Sequence, residues 1–557
     1  EEGPQETGIA LGIDFGNSKI SAAVWDCDKK APTMVIDDET GQYQFPATLY
    51  FTGLSQEKNN GQKQGGNQDI GMVKPEEYKI SNEEDSNQPN NDADNSEVQN
   101  INTGSLTADI GVDYQSSYNL EYYVYDVKKL IGQKLTEEME DRCCNYRFKL
   151  IADKNQDIVY NIDKSYFSFD YLAKFYIEKI KTLAEKQFNN KVKYCTISVP
   201  HGFNYYQKYS IKKAALAAGL EDVFIINDPL TTAIYYASKN RIQKTENFLI
   251  IDFGSSKLDV SIVSINKKNS IKILNSGGNS HIGGEELNHE LEREVIEAYK
   301  QEGGGNILED PQKLFLVRQA VEKAKKDLTF KLETQIKIPK LDGKTDLFYS
   351  IKREDFDELN QKVYASILGD IDKLIKESGI TIENINHVIL QGDAIRVVAL
   401  TSELQKKYQD SDVIVNLYDS VAYGSAIYTA YQLGILNNPQ FNHFKIYDII
   451  PLSVGIRTEG DLMSVILPKG TRIPVKAVKT FVTTQDNQTN IKFEIFEGER
   501  KLIKDNRRLE RMMLKNLPPR NKGQVKIEVT FEVNEEAILK VTARELSTPD
   551  LEVSCNV

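Results

Sequence analysis

One short segment occurs twice in this chain. Residues 13–19 read IDFGNSK and residues 251–257 read IDFGSSK, and each copy follows an apolar run and precedes a strand-like run. The pattern predicts a strand, a tight glycine turn and a second strand, and the backbone N–H groups of such a turn form an anion-binding nest. The aspartate of each copy is suited to hold a hydrated divalent cation. A single turn of this kind is typical of an ordinary hairpin, but the repeat predicts two hairpins that hold a nucleoside polyphosphate from both sides.

The bulk composition limits the class of protein. With 557 residues, of which 40% are hydrophobic and 27% charged, the chain is long enough for roughly two to four globular domains. The formal net charge of −13 opposes bulk attraction to nucleic acid or to an anionic membrane, although it leaves a local basic patch open. No apolar run approaches the roughly 20 residues that span a bilayer. We therefore expect neither direct nucleic-acid binding nor a membrane partner.

The cysteines bear on the cellular compartment. The five cysteines show neither a zinc-binding spacing nor a disulfide framework, and the five histidines are scattered. Adjacent Cys143 and Cys144 are compatible with a redox pair, but separate reduced thiols fit the pattern better and are typical of a reducing compartment. We predict a cytoplasmic protein, and an organelle stays open because the sequence starts at Glu1 rather than at Met.

Two changes of pattern divide the chain. Up to about residue 436, predicted strands alternate with helices, such as Lys313–Leu328, in which apolar residues recur every three or four positions. This alternation favours an α/β core with at least two similar halves. After about Asn437, short strands separated by turns predict an all-β domain. The stretch from about Leu54 to Thr107 is rich in Asn, Gln, acidic residues, Gly and Ser, which predicts a disordered surface insertion.

Further motifs, in their order along the chain, give a resemblance that covers nearly its whole length. In the first part they read YDVKKLIG at 125–132, SVP at 198–200, INDPLTTA at 226–233, HIGGE at 281–285 and VAYG at 421–424. In the β part they read DIIPLSVG at 448–455, FEGER at 496–500 and GQVKIEVTF at 523–531. Together with the two repeated turns, this order resembles the 70-kDa heat-shock (DnaK-type) chaperone family, and a collinear set of this length is highly specific.

The resemblance implies a fold and its cofactors. Residues 1–436 are expected to form an actin-like, ribonuclease-H-like duplicated nucleotide-binding domain with two lobes, which binds ATP or ADP with Mg²⁺. Residues 437–450 are expected to form the interdomain linker, and residues 451–557 a β-sandwich that binds extended peptides. The sequence reaches Val557 without a segment that resembles the family's helical lid.

The motifs carry the family's functional positions onto this sequence. The resemblance implies catalytic roles for Lys128, Asp228, Asp252 and Asp14, with Asp14 and Asp252 organising the magnesium ion and Lys128 orienting the attacking water. The implied nucleotide contacts are Gly16, Asn17, Ser18, Lys19, Gly254, Ser255, Ser256, Lys257, Gly283, Gly284, Glu322, Lys325, Lys326, Gly392, Asp393 and Arg396. Of these, the resemblance assigns Glu322, Lys325, Lys326, Gly392 and Arg396 to the adenosine part of the nucleotide. The implied peptide-binding positions are Glu459, Phe481, Thr484, Ile491 and Phe493. Helical spacing predicts that Glu322 and Lys326 lie on the same side of their helix.

Several of these positions differ from the residues that are usual in the family. The first loop has Asn17 in place of threonine, and Asp228 replaces a glutamate. The second loop reads Ser255-Ser256-Lys257 in place of two glycines and a threonine. The aspartate is one methylene shorter than the glutamate, so its carboxylate is withdrawn by about 1.5 Å, and a displacement of this size can lower the rate of hydrolysis about a hundredfold. A fixed charge at Lys257 near the terminal phosphate strengthens ground-state binding without helping the transition state. We therefore expect nucleotide to be bound but hydrolysed slowly or not at all.

The linker and the peptide groove also depart from the family's pattern. Lys445 interrupts the apolar run of the linker, which puts nucleotide coupling between the domains in doubt. Glu459 is polar where the family has an apolar residue. If Glu459 faces the groove, the affinity for apolar peptides falls, and if it faces solvent, the change has no effect on the groove.

The sequence favours a divergent heat-shock-type chaperone or co-chaperone in protein folding, complex assembly or the stress response. Similar departures are found in the large exchange-factor relatives and in the ribosome-associated atypical members, and one sequence does not separate these branches. The expected partners are unfolded or extended polypeptides and a J-domain protein, exchange factor or other chaperone, within a larger assembly. The alternatives are an ATP-dependent peptide-binding chaperone with a slow ATPase and a small-molecule kinase on the same scaffold.

Overall fold

The computed structural model of the chain describes residues 9–55, 105–114, 118–135, 146, 148–153, 157–162, 165–415, 417, 419–438, 441–535, 537–548 and 550–556. Most of the predicted insertion and the adjacent cysteines Cys143 and Cys144 lie outside these residues. The ends of the insertion need correction, because residues 54–55 and 105–107 belong to two antiparallel strands whose backbone groups pair with each other. Among the described helices, none is both long and apolar enough to span a membrane.

The first copy of the repeated segment is a β-hairpin, as the sequence predicts. Strand Ala10–Phe15 pairs antiparallel with Lys19–Asp26, and on its other side it pairs parallel with Tyr194–Val199. Nearly every residue of this central strand is buried, which explains its continuous apolar run. The strands of the first lobe are β1 Ala10–Phe15, β2 Lys19–Asp26, β3 Ala31–Met34, β4 Gln44–Pro46, β5 Leu49–Ser55, β6 Ser105–Ile110, β7 Tyr123–Val124, β8 Lys149–Ala152, β9 Ile158–Ile162, β10 Ser165–Ser168, β11 Tyr194–Val199 and β12 Asp222–Asn227.

The second copy builds the same arrangement. The strands that follow are β13 Glu246–Phe253, β14 Leu258–Ile265, β15 Ser270–Asn279, β16 Glu333–Ile338, β17 Leu347–Lys352, β18 His387–Gln391, β19 Asp412–Val415 and β20 Lys445–Tyr447. The sheet orders β12-β11-β1-β2-β3 and β19-β18-β13-β14-β15 match strand for strand, with the same parallel and antiparallel neighbours. This match confirms the duplicated α/β core and brings both glycine turns to the carboxyl ends of the central strands, where α/β sheets bind ligands.

Helices pack on the sheets and join the two lobes. Helix Ser420–Gln432 packs on β1 and on helix Asp228–Lys239. Glycine permits this approach, since a Cβ on Gly12 would lie 2.0 Å from a backbone nitrogen of the first helix, and one on Gly424 would lie 1.9 Å from a carbonyl oxygen of the second. The described α-helices are Val127–Leu130, Phe169–Phe188, Tyr205–Ala217, Asp228–Lys239, Glu286–Gln301, Pro311–Leu328, Arg353–Leu359, Gln361–Ser378, Val398–Lys407 and Ser420–Gln432, and the 3₁₀ turns are Leu120–Tyr122, Ile382–Asn384, Ala394–Arg396 and Ile503–Asp505.

The last part of the chain forms two antiparallel sheets around a common apolar core. Their strands are β21 Val454–Thr458, β22 Leu462–Leu467, β23 Val475–Val482, β24 Ile491–Glu497, β25 Arg507–Leu514, β26 Lys526–Val533, β27 Leu539–Glu545 and β28 Glu552–Asn556. The sheet orders are β22-β21-β24-β25 and β23-β26-β27-β28. Side chains of β26 alternate between buried and accessible, so that Ile527, Val529 and Phe531 enter the core.

The segment between the two parts is ordered as a strand. β20 pairs parallel with residues 270–272 at the edge of the second-lobe sheet. Ladder hydrogen bonds use backbone groups, so Lys445 does not prevent this docking. Asn227 Nδ2 of the first lobe donates a hydrogen bond of 2.5 Å to Asp448 Oδ2, just beyond the strand. The linker is therefore attached to both lobes, which the interruption of its apolar run did not predict.

Candidate functional site

Two aspartates occupy equivalent positions in the two lobes. Asp14 lies near the end of β1 and Asp252 near the end of β13. Both line a cavity of about 680 Å³ between the lobes, a volume that suits a small-molecule ligand. Gln391 Nε2 donates a hydrogen bond of 3.2 Å to Asp252 Oδ2. The duplicated fold thus places two carboxylates at one cavity.

Both carboxyl groups hold protons more tightly than ordinary aspartates do. Burial raises the pKa of Asp14 to about 7, although the Lys128 ammonium opposes this rise and the Asp228 carboxylate adds to it. Burial also raises the pKa of Asp252 to about 6, and Asp228 and Asp259 contribute in the same direction. Carboxylates that resist ionisation in the free protein are suited to a cationic ligand that compensates their charge.

Lys128 and Asp228 lie together beside these aspartates. Their side chains are buried, and Lys128 Nζ is 4.0 Å from Asp228 Oδ2. Lys128 comes from the short helix Val127–Leu130, and its ammonium is 6.0 Å from the centre of the Phe203 ring. Within the described part of the chain, the buried Asp228 Oδ1 accepts no hydrogen bond. A buried carboxylate oxygen without a protein donor is a place for water or a ligand group.

The loops around the cavity approach closely because they contain glycine. A Cβ on Gly16 would lie 2.1 Å from the Lys19 carbonyl oxygen, and one on Gly283 would lie within 2.5 Å of the backbone of the second loop. Gly284 N donates a hydrogen bond of 2.9 Å to the Gly254 carbonyl oxygen, so this turn packs directly on the second loop. The predicted loop residues that line the cavity are Gly16, Asn17, Ser18, Lys19, Gly254, Ser255, Ser256 and Lys257.

Gly392 lies against the carboxylate of the second lobe. It has φ +87°, and a Cβ there would lie 2.3 Å from Phe253 O and 2.7 Å from Asp252 Oδ1. We expect Gly392→Ala to lower the free energy of unfolding in urea by about 3 kcal/mol, since the left-handed conformation alone costs about 1–2 kcal/mol and the overlap adds strain. Gly434→Ala is the control, because Gly434 has φ +69° and open space around it. An equal decrease in the free energy of unfolding in the two variants would contradict a steric overlap at Gly392.

The first loop makes a contact that sequence reasoning missed. Asn17 Nδ2 donates a hydrogen bond of 2.7 Å to Asp126 Oδ1, and Tyr146 Oη donates one of 3.1 Å to Asp126 Oδ2. Asp126 has φ +60° and directly precedes the helix of Lys128. The buried Asn17 Oδ1 accepts no hydrogen bond from the residues that the structure describes. The contact ties the first loop to the segment that carries Lys128.

The positive charge predicted at the second loop is compensated within that loop's own hairpin. Lys257 Nζ forms an ion pair with Asp259 Oδ2. Residues two apart on a strand point to the same side of the sheet, so the sequence spacing Lys-x-Asp carried a signal for this pair. Lys257 also lines the cavity, so its charge lies near the position predicted for the phosphates, with Asp259 as its partner.

One helix carries the charged residues that the resemblance assigns to adenosine. Lys325 Nζ is 2.6 Å from Glu322 Oε2, and Lys326 Nζ is 3.3 Å from Glu322 Oε1, which confirms that Glu322 and Lys326 share one side. Burial alone would raise the pKa of Glu322, but the two ammonium groups prevail and lower it. Lys325 also donates a hydrogen bond of 2.6 Å to the Gly284 carbonyl oxygen, and burial lowers the pKa of this lysine.

Ion pairs cross the cleft between the lobes. Lys19 Nζ of the first lobe is 2.7 Å from Asp393 Oδ2 of the second, and Asp393 Oδ1 is 3.1 Å from Arg396 Nη2. Lys129 Nζ of the first lobe is 3.5 Å from Glu285 Oε2 of the second. A larger cavity of about 2460 Å³ shares part of its lining with the first one and is lined by the residues assigned to adenosine. The two cavities therefore adjoin each other, and we call them together the elongated cleft.

A second bridge between the lobes is aromatic. The ring of Phe315, on helix Pro311–Leu328, lies 4.8 Å from that of Tyr114, measured between ring centres. The corresponding distances to Tyr123 and Tyr125 are 6.0 and 5.9 Å. Gln312 Nε2 of the same helix donates a hydrogen bond of 3.3 Å to Tyr114 Oη. This cluster, which we call the aromatic bridge, lines the larger cavity, and no pattern in the sequence predicts it.

The residues present fit a hydrated magnesium ion. The structure contains, in its described residues, no group of three or more His, Cys, Asp or Glu side chains placed to hold a metal by themselves. Mg²⁺ keeps several waters and is bound by one or two carboxylates together with substrate phosphates. Asp14 and Asp252 supply two such carboxylates, and Asp228 Oδ1 offers a further buried acceptor. A magnesium ion that enters with a nucleotide is therefore compatible with this donor set.

In the β domain, the predicted peptide-binding positions differ in burial. Phe493 is buried in the core, while Ile491 and Phe481 are half-buried. The ring centres of Phe481 and Phe493 are 6.5 Å apart. Glu459 and Thr484 are exposed and follow β21 and β23.

Comparison with known proteins adds evidence from outside the chain. A model of the Hsp70 protein family matches residues 110–555. The chain is similar to a heat shock 70 kDa protein of Neurospora crassa, with 29% identity over 440 residues that cover 78% of this chain and 68% of that protein. It is also similar to a ribosome-associated molecular chaperone of Zygosaccharomyces rouxii, with 31% identity over 442 residues that cover 78% of this chain and 72% of that protein.

Proposed function

The chain belongs to the Hsp70 family, and from this premise we propose that it is a divergent molecular chaperone that binds ATP or ADP with Mg²⁺ and hydrolyses ATP slowly or not at all. The proposed clients are unfolded or extended polypeptide segments. The proposed partners are a J-domain protein, an exchange factor or another chaperone. The free thiols of Cys27, Cys195 and Cys555 support a reducing compartment such as the cytoplasm.

The observation that carries this proposal is the set of buried carboxylates in the cleft. Asp228 lies close enough to Asp14 and Asp252 to add to the rise in the pKa of both, and Lys128 is the cation beside Asp14. A fold that keeps like charges together in a cavity loses stability, so their retention supports a function in binding a cationic ligand. The elongated cleft has room for a triphosphate next to Asp14 and for adenosine next to Glu322 and the lysines beside it.

The chain's own residues divide the task of holding the nucleotide. The backbone N–H groups of the two glycine turns bind the phosphates, and Asp14 and Asp252 hold waters of the magnesium ion. Bound Mg²⁺ neutralises charge on the phosphate oxygens. Lys128 orients the attacking water, and Asp228 accepts a hydrogen bond from that water. The helix that carries Glu322 binds the adenosine end.

Two features support slow hydrolysis. Asn17 already donates its amide to Asp126, so this donor is engaged away from the phosphate. Asp228 Oδ2 lies 4.0 Å from Lys128 Nζ, which is longer than a hydrogen bond. A gap of this size admits a bridging water, and the side chain of Asp228, one methylene shorter than a glutamate, withdraws its carboxylate from that water by about 1.5 Å.

Single-turnover hydrolysis of radiolabelled ATP tests this part of the proposal. We expect the wild-type rate to be low and Asp228→Glu to raise it at least about tenfold, because the added methylene moves the carboxylate toward the water. Asp28→Glu is the matched control, since it lengthens an exposed carboxylate of the first lobe outside the cavity and is expected to leave the rate unchanged. A wild-type rate equal to that of the Asp228→Glu variant would contradict the proposal that the short side chain of Asp228 slows hydrolysis.

The second candidate is an ATP-dependent peptide-binding chaperone with a slow ATPase. The docked linker favours it, because β20 belongs to the second-lobe sheet and Lys469 Nζ of the β domain is 3.8 Å from Glu377 Oε2 of the second lobe. These contacts give nucleotide-driven movements a route to the peptide groove. Release of a fluorescent extended apolar peptide on addition of ATP, but not of ADP, would select this candidate over a nucleotide domain that serves only as a platform.

The aromatic bridge predicts slow nucleotide release. Since the cleft must open for a nucleotide to leave, we expect Phe315→Ala to raise the dissociation rate of a fluorescent ADP analogue about tenfold. Each aromatic pair contributes about 0.5–1.5 kcal/mol, and about 1.4 kcal/mol corresponds to a factor of ten. Stopped-flow displacement measures this rate, and Phe348→Ala, at an exposed phenylalanine of the same lobe, is the control. Unchanged release from the Phe315→Ala variant would show that the bridge does not limit opening.

A further inference from the structure

Positive charge is concentrated in one part of this acidic chain. Between Arg500 and Lys522, nine of 23 residues are Lys or Arg and two are acidic, whereas the whole chain has a formal net charge of −13. Five of the chain's 15 arginines fall in this segment. The net charge of the chain predicted no contact with nucleic acid, but the distribution of charge within it points in the other direction.

The structure places these residues along one edge of the β domain, and the part from Lys504 to Leu509 also lines the larger cavity. The segment comprises the loop before β25, β25 itself and the loop after it, and β25 is the last strand in the described order of its sheet. Eight of the nine basic side chains are exposed, and Arg507 is half-buried. At about 3.4 Å per residue, the eight residues of β25 extend the basic edge over about 27 Å. We call this edge, from Arg500 to Lys522, the basic stripe.

The sheet face next to the stripe adds further positive charge. The carboxylate of Glu494 on β24 is shared by Arg457 Nη1 at 2.8 Å, Lys492 Nζ at 3.2 Å and Arg511 Nη2 at 3.3 Å. Arg508 Nη1 lies 3.9 Å from the same carboxylate. Burial alone would raise the pKa of Glu494, but these cations lower it to about 2. Arg457 Nη2 is also 2.7 Å from Asp461 Oδ1, so two carboxylates serve four cations and positive charge remains in excess on this face.

We propose that the basic stripe binds the phosphate backbone of single-stranded RNA. Arginine is favoured at phosphate contacts because its planar guanidinium binds phosphate oxygens with two parallel hydrogen bonds. Interfaces with nucleic acid are more positively charged than those between proteins, which depend on buried aromatic and apolar anchors. The large apolar side chains exposed in the stripe are Leu502 and Met513, at 37% and 44% exposure. The stripe therefore fits a polyanion better than a protein surface.

Charge reversal at the two ends of the stripe tests this proposal. Lys501, Lys504, Arg520 and Lys522 are exposed and form no ion pair with a carboxylate of the described residues, so their replacement leaves the fold intact. Fluorescence anisotropy of the full chain with a labelled 20-nucleotide RNA of mixed sequence is measured over a range of KCl concentrations. For about four phosphate contacts, we expect the logarithm of the affinity to fall with the logarithm of salt concentration at a slope of about −3.

The pair Lys501→Glu/Lys504→Glu and the pair Arg520→Glu/Lys522→Glu are each expected to lower RNA affinity at least about tenfold at 100 mM KCl and to reduce the slope by about 1. The control pair Lys267→Glu/Lys268→Glu, exposed on the turn between β14 and β15, removes the same charge from the second lobe and is expected to have no effect. Unchanged RNA affinity in both stripe pairs would overturn the proposal. Equally tight binding of a labelled 20-residue polyglutamate would also overturn it, because the stripe would then select an acidic protein.

Discussion

Replacing Asp14 by asparagine is expected to stabilise the nucleotide-free protein while weakening its binding of Mg²⁺ and nucleotide. The folded-state pKa of Asp14 is raised to about 7 from an ordinary value near 4, so the folded chain retains a proton that the unfolded chain releases. The contribution of Asp14 to the free energy of unfolding is therefore fully favourable below about pH 4, and it is lost as the pH rises to about 7. Asn carries no charge, and at pH 8 we expect Asp14→Asn to raise the free energy of unfolding by about 2 kcal/mol.

The same substitution removes a group that holds waters of the magnesium ion, so we expect nucleotide affinity in the presence of Mg²⁺ to fall by about 10–100-fold. Urea unfolding at pH 5 and pH 8 without nucleotide, together with calorimetric titration of ADP, measures both effects. Asp28→Asn, at an exposed aspartate of the same lobe, is the control and is expected to change neither quantity. A lower free energy of unfolding for the Asp14→Asn variant than for the wild type at pH 8 would contradict the conclusion that the charged Asp14 carboxylate destabilises the folded protein.

Replacing Lys128 by methionine is expected to have the opposite effect on stability. The Lys128 ammonium lowers the pKa of Asp14 and lies 4.0 Å from Asp228, so its removal leaves a group of carboxylates without their cation. Breaking a buried ion pair by removing one partner costs about 3–5 kcal/mol, and we expect about 3 kcal/mol here because the cluster borders a cavity. Any residual ATP hydrolysis is expected to fall at least about a hundredfold, since the group that orients the water is lost.

Lys129→Met is the matched control, because Lys129 is the next residue and its side chain is partly exposed. Its pairs with Asp126 and Glu285 are worth about 0–1 kcal/mol, and the proposal gives it no role in orienting the attacking water. The double variant Asp14→Asn/Lys128→Met is expected to be more stable than Lys128→Met alone, since one carboxylate no longer needs compensation. Strictly additive effects in urea unfolding would show that the two groups do not interact.

Features that depend on a local pattern of residues were predicted from the sequence. The repeated turns placed Asp14 and Asp252 at the ends of equivalent strands, because apolar runs followed by glycine define strands and turns within a few residues. Helical spacing likewise predicted the pair of Glu322 and Lys326. The segment 333–378 carried no assignment, although the structure forms there the hairpin of β16 and β17 and helix Gln361–Ser378.

Contacts between distant segments were not predictable in this way. Asn17 and Asp126 are 109 residues apart, and their hydrogen bond depends on how two loops meet in the folded lobe. The aromatic bridge joins Tyr114 to Phe315 across two lobes, and no periodicity relates these positions. The docking of β20 depends on an available edge of β15, which a pattern within the linker does not reveal. These three contacts determine how the loops, the lobes and the linker are joined around the cleft, which the family resemblance alone does not predict.

Calorimetric titration of the full chain with ADP, with and without Mg²⁺, tests most directly whether the cleft is a nucleotide site built around two carboxylates. We predict one site per chain, a loss of affinity of at least about tenfold when Mg²⁺ is removed, and a similar loss in the Asp14→Asn variant. Absence of binding heat with both ADP and ATP at millimolar concentration in the presence of Mg²⁺ would contradict this account.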